Sequence, residues 1–116
     1  MNHDVEQAAI ANIVSEIASR RKAAQAKSDN QRKLYRAGLL TVSSIEPSTV
    51  EWWDGFGKAV AQCAEAPFPI CAIQNHLTDK RLRYVKPASV RTVVNEAYRV
   101  WLDEAERMVR AIAPAA

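Results

Sequence analysis

PASVRTVVNEAYRVWLDEAERMVRAI, residues 87–112, is the stretch whose reading decides the fold. Turned at about 100° per residue, Val90, Val94, Ala97, Trp101, Ala105, Met108 and Ile112 fall on one line. Tyr98, Leu102 and Val109 widen that line on one side, and Val93, Val100 and Ala111 on the other. Asn95, Glu96, Arg99, Asp103, Glu106, Arg107 and Arg110 gather opposite. Pro87 suits a first helical turn, where its fixed φ fits and its missing N–H has no partner to lose. Pro114 marks the end. The spacing therefore predicts a helix over 87–112, roughly 39 Å long at 1.5 Å per residue. The radius of gyration expected for a chain of this size is about 13 Å, so such a helix crosses the domain and the other elements pack along it.

Working outward, a second helix is expected to open at Ser48, with Glu51 as capping-box partner, and to run to about Glu65. Its polar residues Glu51, Asp54, Lys58, Gln62 and Glu65 keep to one narrow stripe, and the rest is apolar over roughly 200°. One neighbouring helix covers about half of that width, so the excess calls for a second partner, inside the fold or outside it. Adjacent residues stand about 100° apart, so Trp52 and Trp53 cannot face the same neighbour. This assigns Trp52, Phe56, Ala59 and Cys63 to a contact strip, and turns Trp53, Val60 and Ala64 toward the last helix. Tryptophan is a frequent interface anchor. The interface candidates are therefore Trp52, Trp53, Phe56, Ala59, Val60, Cys63 and Phe68.

Upstream, Asp4 with Gln7 opens a helix whose narrow seam is Ile10, Ile13, Val14, Ile17 and Ala24. Arg20, Arg21, Lys22, Lys27, Arg32, Lys33 and Arg36 follow, with only Asp29 against them. The block reads as a solvated face, or as a basic patch for an acidic protein or for nucleic acid. It is one helix with a weak middle or two helices broken near 28–30, and Gly38 can cap the end. Residues 39–45 are aperiodic and rich in β-formers, and Glu46 before Pro47 disfavours helix there. After the Pro67–Pro69 turn, Pro69 can start a short helix carrying Ile70, Ile73 and Leu77, with a strand over 68–73 as the alternative. Thr78-Asp79-Lys80-Arg81 reads as a turn and 82–85 as extended.

The expected fold is thus mostly α: a small bundle of about four helices organised on a long C-terminal helix, with room for one or two short extended segments. A chain of 116 residues makes one domain, 1–116. It divides into a basic helical region, 1–37, and a helical core, 48–112. At 48% hydrophobic and 25% charged it is an ordinary globular composition, and a net charge of +3 is too mild to indicate nucleic acid by itself. A chain this short buries only about two-thirds of its surface, which favours a homodimer. Met1–Asn12 has neither the basic start nor the apolar core of a signal peptide, and no apolar run reaches the ~18 residues of a membrane span. The expected location is the cytoplasm, with Cys63 and Cys71 reduced.

Chemistry is nearly absent. Without a C-x-x-C, and with His3 and His76 as the only histidines, no metal set is visible. His76 has only Asp79 as a nearby acid, so no catalytic residue and no cofactor is assigned. Asp54-Gly55-Phe56-Gly57 lacks the strand, third glycine and lysine of a phosphate loop, so Gly57 reads as a point of close helix approach. Arg99–Asp103, Asp103–Arg107 and Glu106–Arg110 are pairs four residues apart on a solvated face, each worth only a few tenths of a kcal/mol. Glu104 breaks the apolar arc and edges the core, with Arg91 as a candidate partner. A recognition helix is missing, which argues against direct nucleic-acid binding.

These features describe a non-enzymatic protein-binding module. The segment Val50-Glu51-Trp52-Trp53-Asp54-Gly55-Phe56-Gly57-Lys58-Ala59-Val60, in a chain of this length, resembles the pseudomonad quorum-sensing anti-activators. That resemblance implies a homodimeric helical protein that binds the ligand-binding domain of a LuxR-type transcriptional regulator. Such binding would block the regulator's dimerisation and hence its DNA binding. It assigns no contact residues. A small basic DNA-binding regulator, and a phage or mobile-element inhibitor of a host protein, are the alternatives.

Overall fold

The computed structural model describes residues 3–39 and 46–114, with the backbone alone at 3, 46, 47, 88 and 93. Helix α1 spans His3–Arg36, α2 Glu46–Cys63, α3 Pro69–Tyr84 and α4 Val93–Ile112, with a 3-10 turn at Ala88–Val90 before α4. There is no strand among the described residues. The expected four-helix bundle is what forms, and α1, about 51 Å at 1.5 Å per residue, is its longest element.

α4 starts later than the periodicity alone predicts. Thr92 caps it: its hydroxyl accepts from the Asn95 N–H at 3.2 Å, and the Asn95 side-chain oxygen accepts from the Thr92 N–H at 3.3 Å. That reciprocal pairing satisfies two N–H groups a helix start leaves free, so the helix begins there. Pro87 instead opens the 3-10 turn, its carbonyl accepting from the Val90 N–H at 3.0 Å. Val90 drops off the helix line and is exposed. Further along α4, Ala97, Trp101, Leu102, Ala105, Met108 and Val109 are buried.

α1 is one helix, unbroken at 28–30. Its seam buries Ile10, Ile13, Ile17 and Ala24 as expected and adds Ala9, but Val14 falls outside it and is half exposed. The helix ends in a Schellman motif on Gly38, at φ +74°. Leu39 N–H reaches the Leu34 carbonyl at 2.9 Å, and Gly38 N–H reaches Tyr35 at 3.0 Å.

α2 begins at Glu46, so Ser48 lies inside the first turn and is not its cap. Pro47 is tolerated because first-turn N–H groups have no helical partner to lose. Val50, Trp53, Phe56 and Val60 are buried between α1 on one side and α3 on the other. The wide apolar face of α2 finds its second partner inside the fold. Gly57 sits against α1, where an added Cβ would lie 3.5 Å from Ile17 Cγ2.

α3 starts at Pro69, so 68–73 is not a strand, and Ile70, Ile73 and Leu77 face the core. The helix runs on through 78–84, correcting both the turn expected at 78–81 and the extended segment at 82–85. No glycine or proline interrupts 70–86. Arg83 pairs with Asp79 at 3.1 Å, and Arg81 is held by Asp103 and Glu106 of α4. Only Val85 is extended, as the C-cap. The start of α3 is capped from another helix: the buried Glu6 carboxylate of α1 accepts from Ile70 N–H at 3.2 Å. The stretch expected to be extended at 39–45 lies, apart from Leu39, outside the described residues.

Candidate functional site

α1 and α4 run antiparallel. Arg20 pairs with Glu104, while farther along α1 Ala24 and Lys27 face the same space as Ala97 and Glu96, earlier on α4. Beyond the Arg20–Glu104 pair lies a groove of about 670 Å³. Its walls are Arg20, Ala23, Ala24 and Lys27 from α1, Thr49 and Trp53 from α2, and Glu96, Ala97, Val100, Trp101 and Glu104 from α4. Trp101 is fixed there by its indole N–H, which donates to the Thr49 hydroxyl at 3.1 Å.

At this same end both helices outrun the core. Tyr35 lies seven residues, about two helical turns, beyond Ser28 and so on the same side of α1. Ser28 is 1% exposed and Tyr35 62%. Val94 precedes Trp101 by the same interval on α4, and the two are 63% and 7% exposed. Two core-facing lines thus emerge uncovered beside the groove. The molecule is correspondingly drawn out, with extents of 54 × 32 × 20 Å and a radius of gyration of 16.2 Å, against about 13 Å for a compact chain of this size.

The interface candidates read from the sequence do not come together on one surface. Trp53, Phe56 and Val60 are buried inside the chain. Ala59 and Cys63 are half-buried, and Phe68 is 75% exposed at the other end of the bundle, as the N-cap of α3. Trp52 is not on a free strip, and Trp53, expected toward the last helix, lies between α1 and α4. Trp53 lies against α1, with the Arg20 guanidinium 5.7 Å from its ring centroid. Trp52 turns to α4, 6.0 Å from Trp101. It joins an aromatic row across three helices: Tyr84 to Tyr98 at 5.1 Å, Tyr98 to Trp101 at 5.4 Å, Trp52 to Phe56 at 5.5 Å and Phe56 to His76 at 6.3 Å. No single-helix pattern shows this row, because its members come from α2, α3 and α4.

The basic patch is partly neutralised. Arg20 goes to Glu104, Arg21 to Asp54, and Arg32 reaches Asp29 at 4.0 Å. Lys22, Lys33 and Arg36 stand exposed, as does Lys27, which has an interaction of its own. The partner of Glu104 is Arg20 and not Arg91, which bonds Glu96 at 3.0 Å. Of the three expected pairs within α4 only Arg99–Asp103 forms between side chains, at 2.7 Å. Arg107 and Arg110 donate to the backbone carbonyls of Asp103 and Glu106 instead. Those carboxylates serve Arg81, so α3 and α4 are clamped by a chain of charges: Arg91, Glu96, Arg99, Asp103, Arg81 and Glu106. Hydrogen bonds from Arg99 and Arg91 hold the Glu96 carboxyl below its usual range.

His76 is half-buried against Phe56; burial, then the Lys80 charge, pushes its imidazolium below the usual range despite Asp79. Burial raises the Cys63 thiol, while Cys71 is exposed. Among the described residues no group of three or more His, Cys, Asp or Glu side chains is placed to hold a metal ion. No helix of the described residues is long and apolar enough to cross a membrane. Comparison with protein-family models, curated proteins and solved structures finds no match for this chain.

Proposed function

We propose that the chain is a non-enzymatic inhibitor: a quorum-sensing anti-activator that binds the ligand-binding domain of a LuxR-type transcriptional regulator in the cytoplasm. As a homodimer it occupies the surface the regulator needs for its own dimerisation, and DNA binding is lost as a consequence. The resemblance at residues 50–60 supports the choice of partner. The observation that carries a protein-binding role is the open end of the bundle, where Tyr35 and Val94 continue the core-facing lines of α1 and α4 without cover. Exposed apolar surface rimmed by charge is what a protein interface uses. An interface of about 1,600 Å² in total suffices to compete with a regulator dimer. Direct DNA binding draws less support, since Arg20 and Arg21 are already committed to Glu104 and Asp54.

Mixing the purified chain with the ligand-binding domain tests this by calorimetry and by gel shift of the regulator on its operator. The expected result is a complex, a regulator dimer that disappears, and a shift that is lost. Tyr35→Asp with Val94→Asp weakens the complex at least about tenfold, as loss of an anchoring contact does. No complex with the wild-type chain, or a complex that leaves the regulator dimeric and on DNA, refutes the reading.

A further inference from the structure

A small recess lies on the α2–α3 side of the bundle. α2 gives it Glu51, Trp52, Gly55 and Phe56, α3 gives His76 and Lys80, and α4 closes it with Tyr98. Phe56 is buried, and Trp52, His76 and Tyr98 are half-buried, so each of the three helices presents a ring to it. Gly55 stands exposed on the rim, and a Cβ there would meet nothing within 4 Å, which leaves the entrance clear. The volume is about 190 Å³. Small-molecule sites run to roughly 300–1,000 Å³, so this recess has room for a single side chain. Val94, uncovered at the open end of the bundle, stands one helical turn from Tyr98 on α4. A partner lying on Val94 therefore has the recess within reach.

The carboxylate of this recess is uncommitted. Glu51 is exposed on the rim and has no ion pair or hydrogen bond among the described residues. Lys80 sends its ammonium to Tyr84 instead, 5.1 Å from the ring centroid. His76 adds no charge at neutral pH, since burial holds its imidazolium below the usual range. An unpaired carboxylate beside aromatic faces is the combination that draws a cation. The chain already docks cations on its own rings twice, Arg20 on Trp53 and Lys80 on Tyr84. Arginine fits better than lysine, because a planar guanidinium stacks on a ring while its N–H fork meets a carboxylate. We propose that this recess receives one arginine side chain of the partner protein, stacked on Trp52 and paired with Glu51. The proposal rests on the protein-binding role above and names a side chain which that role recognises.

Two probes test it on the full chain. The first is N-acetyl-arginine methylamide, titrated while the Trp52 indole N–H is followed by NMR. The expected result is a saturable shift in the millimolar range, lost in Glu51→Gln and in Gly55→Leu. Lys80→Met removes a rival cation and should tighten the binding. Glu51 and Gly55 are both exposed, and leucine favours a helix over glycine, so these variants keep the fold, which thermal unfolding checks. N-acetyl-glutamate methylamide is the counter-probe. A shift with the anion in place of the cation, or a cation shift that Glu51→Gln leaves unchanged, overturns the proposal. The second probe is the ligand-binding domain of a LuxR-type regulator. Glu51→Gln and Gly55→Leu should each lose at least about tenfold in affinity for it, and Phe68→Ser, at the far end of the bundle, none. A domain that binds wild type and both recess variants equally overturns the arginine anchor while the protein-binding role stands. If the arginine probe binds as expected and the domain does not, the choice of regulator falls and the recess keeps its ligand. No response to either probe retires both.

Discussion

Leu102 and Val94 belong to the apolar arc of the same helix, and the tertiary structure gives them opposite energetic weight. Leu102 is fully buried and Val94 is 63% exposed. Leu102→Ala removes a buried isobutyl group and leaves a cavity among residues that cannot all relax, which costs about 2.7–5 kcal/mol. A domain of 116 residues holds roughly 6–17 kcal/mol of stability in all. With a urea slope of about 1.5 kcal/mol/M, the unfolding midpoint falls by about 2–3 M. Val94→Ala loses two methyl groups that water already touches, so its cost stays within about 0.5 kcal/mol and the midpoint barely moves. Urea titration followed by far-UV circular dichroism measures both, at two protein concentrations. Equal losses for the two variants would show that the first turn of α4 is covered, and the open end of the bundle would be gone from the argument. A Val94→Ala loss that is present at high protein concentration and shrinks as the protein is diluted would identify the cover as a second copy.

Four further outcomes follow from particular residues. His76 resists protonation in the folded state more than in the unfolded chain, so its contribution is whole above the unfolded value near 6.5 and is lost as pH falls below it. The urea midpoint should therefore drop between about pH 7 and 5 in wild type and much less in His76→Gln; an identical slope in both removes His76 as the cause. The low carboxyl of Glu96 acts in a separate window, its stabilisation disappearing as pH falls below about 4.5. A thiol-reactive disulfide reagent should titrate Cys71 quickly and Cys63 slowly, since the one is exposed and the other partly buried with its thiol raised; a single fast phase for two thiols contradicts that placement. Gly38→Ala forces an L side chain to φ +74° and costs about 1–2 kcal/mol. The loss should appear as faster amide exchange at Gly38 and Leu39 with little change in global stability, because these turns lie past the core; a large global loss would place them inside it.

The amphipathic periods of α1, α2 and α4 are local properties, and the buried residues Ile13, Ile17, Trp101, Ala105 and Met108 could be named from spacing alone. The start of α3 at Pro69 and the Gly38 cap were equally legible, since proline and glycine act on their own turn of backbone. The extension of α3 was not, because Arg81 gains its partners 22 and 25 residues later, on α4. Nor was the late start of α4: the wheel sees no difference between Val90 and Trp101, while the Thr92–Asn95 pairing does.

The sequence by itself determined the class, a small bundle of about four amphipathic helices, because helix period is read within a few residues of each point. Only the tertiary structure decided which part of each apolar stripe is spent. α2, whose face looked too wide to hide, is covered by α1 and α3, whereas the stripes of α1 and α4 run past the end of the bundle at Tyr35 and Val94. The physical reason is that burial belongs to the place where helices of unequal length stop overlapping, and no single helix carries that information.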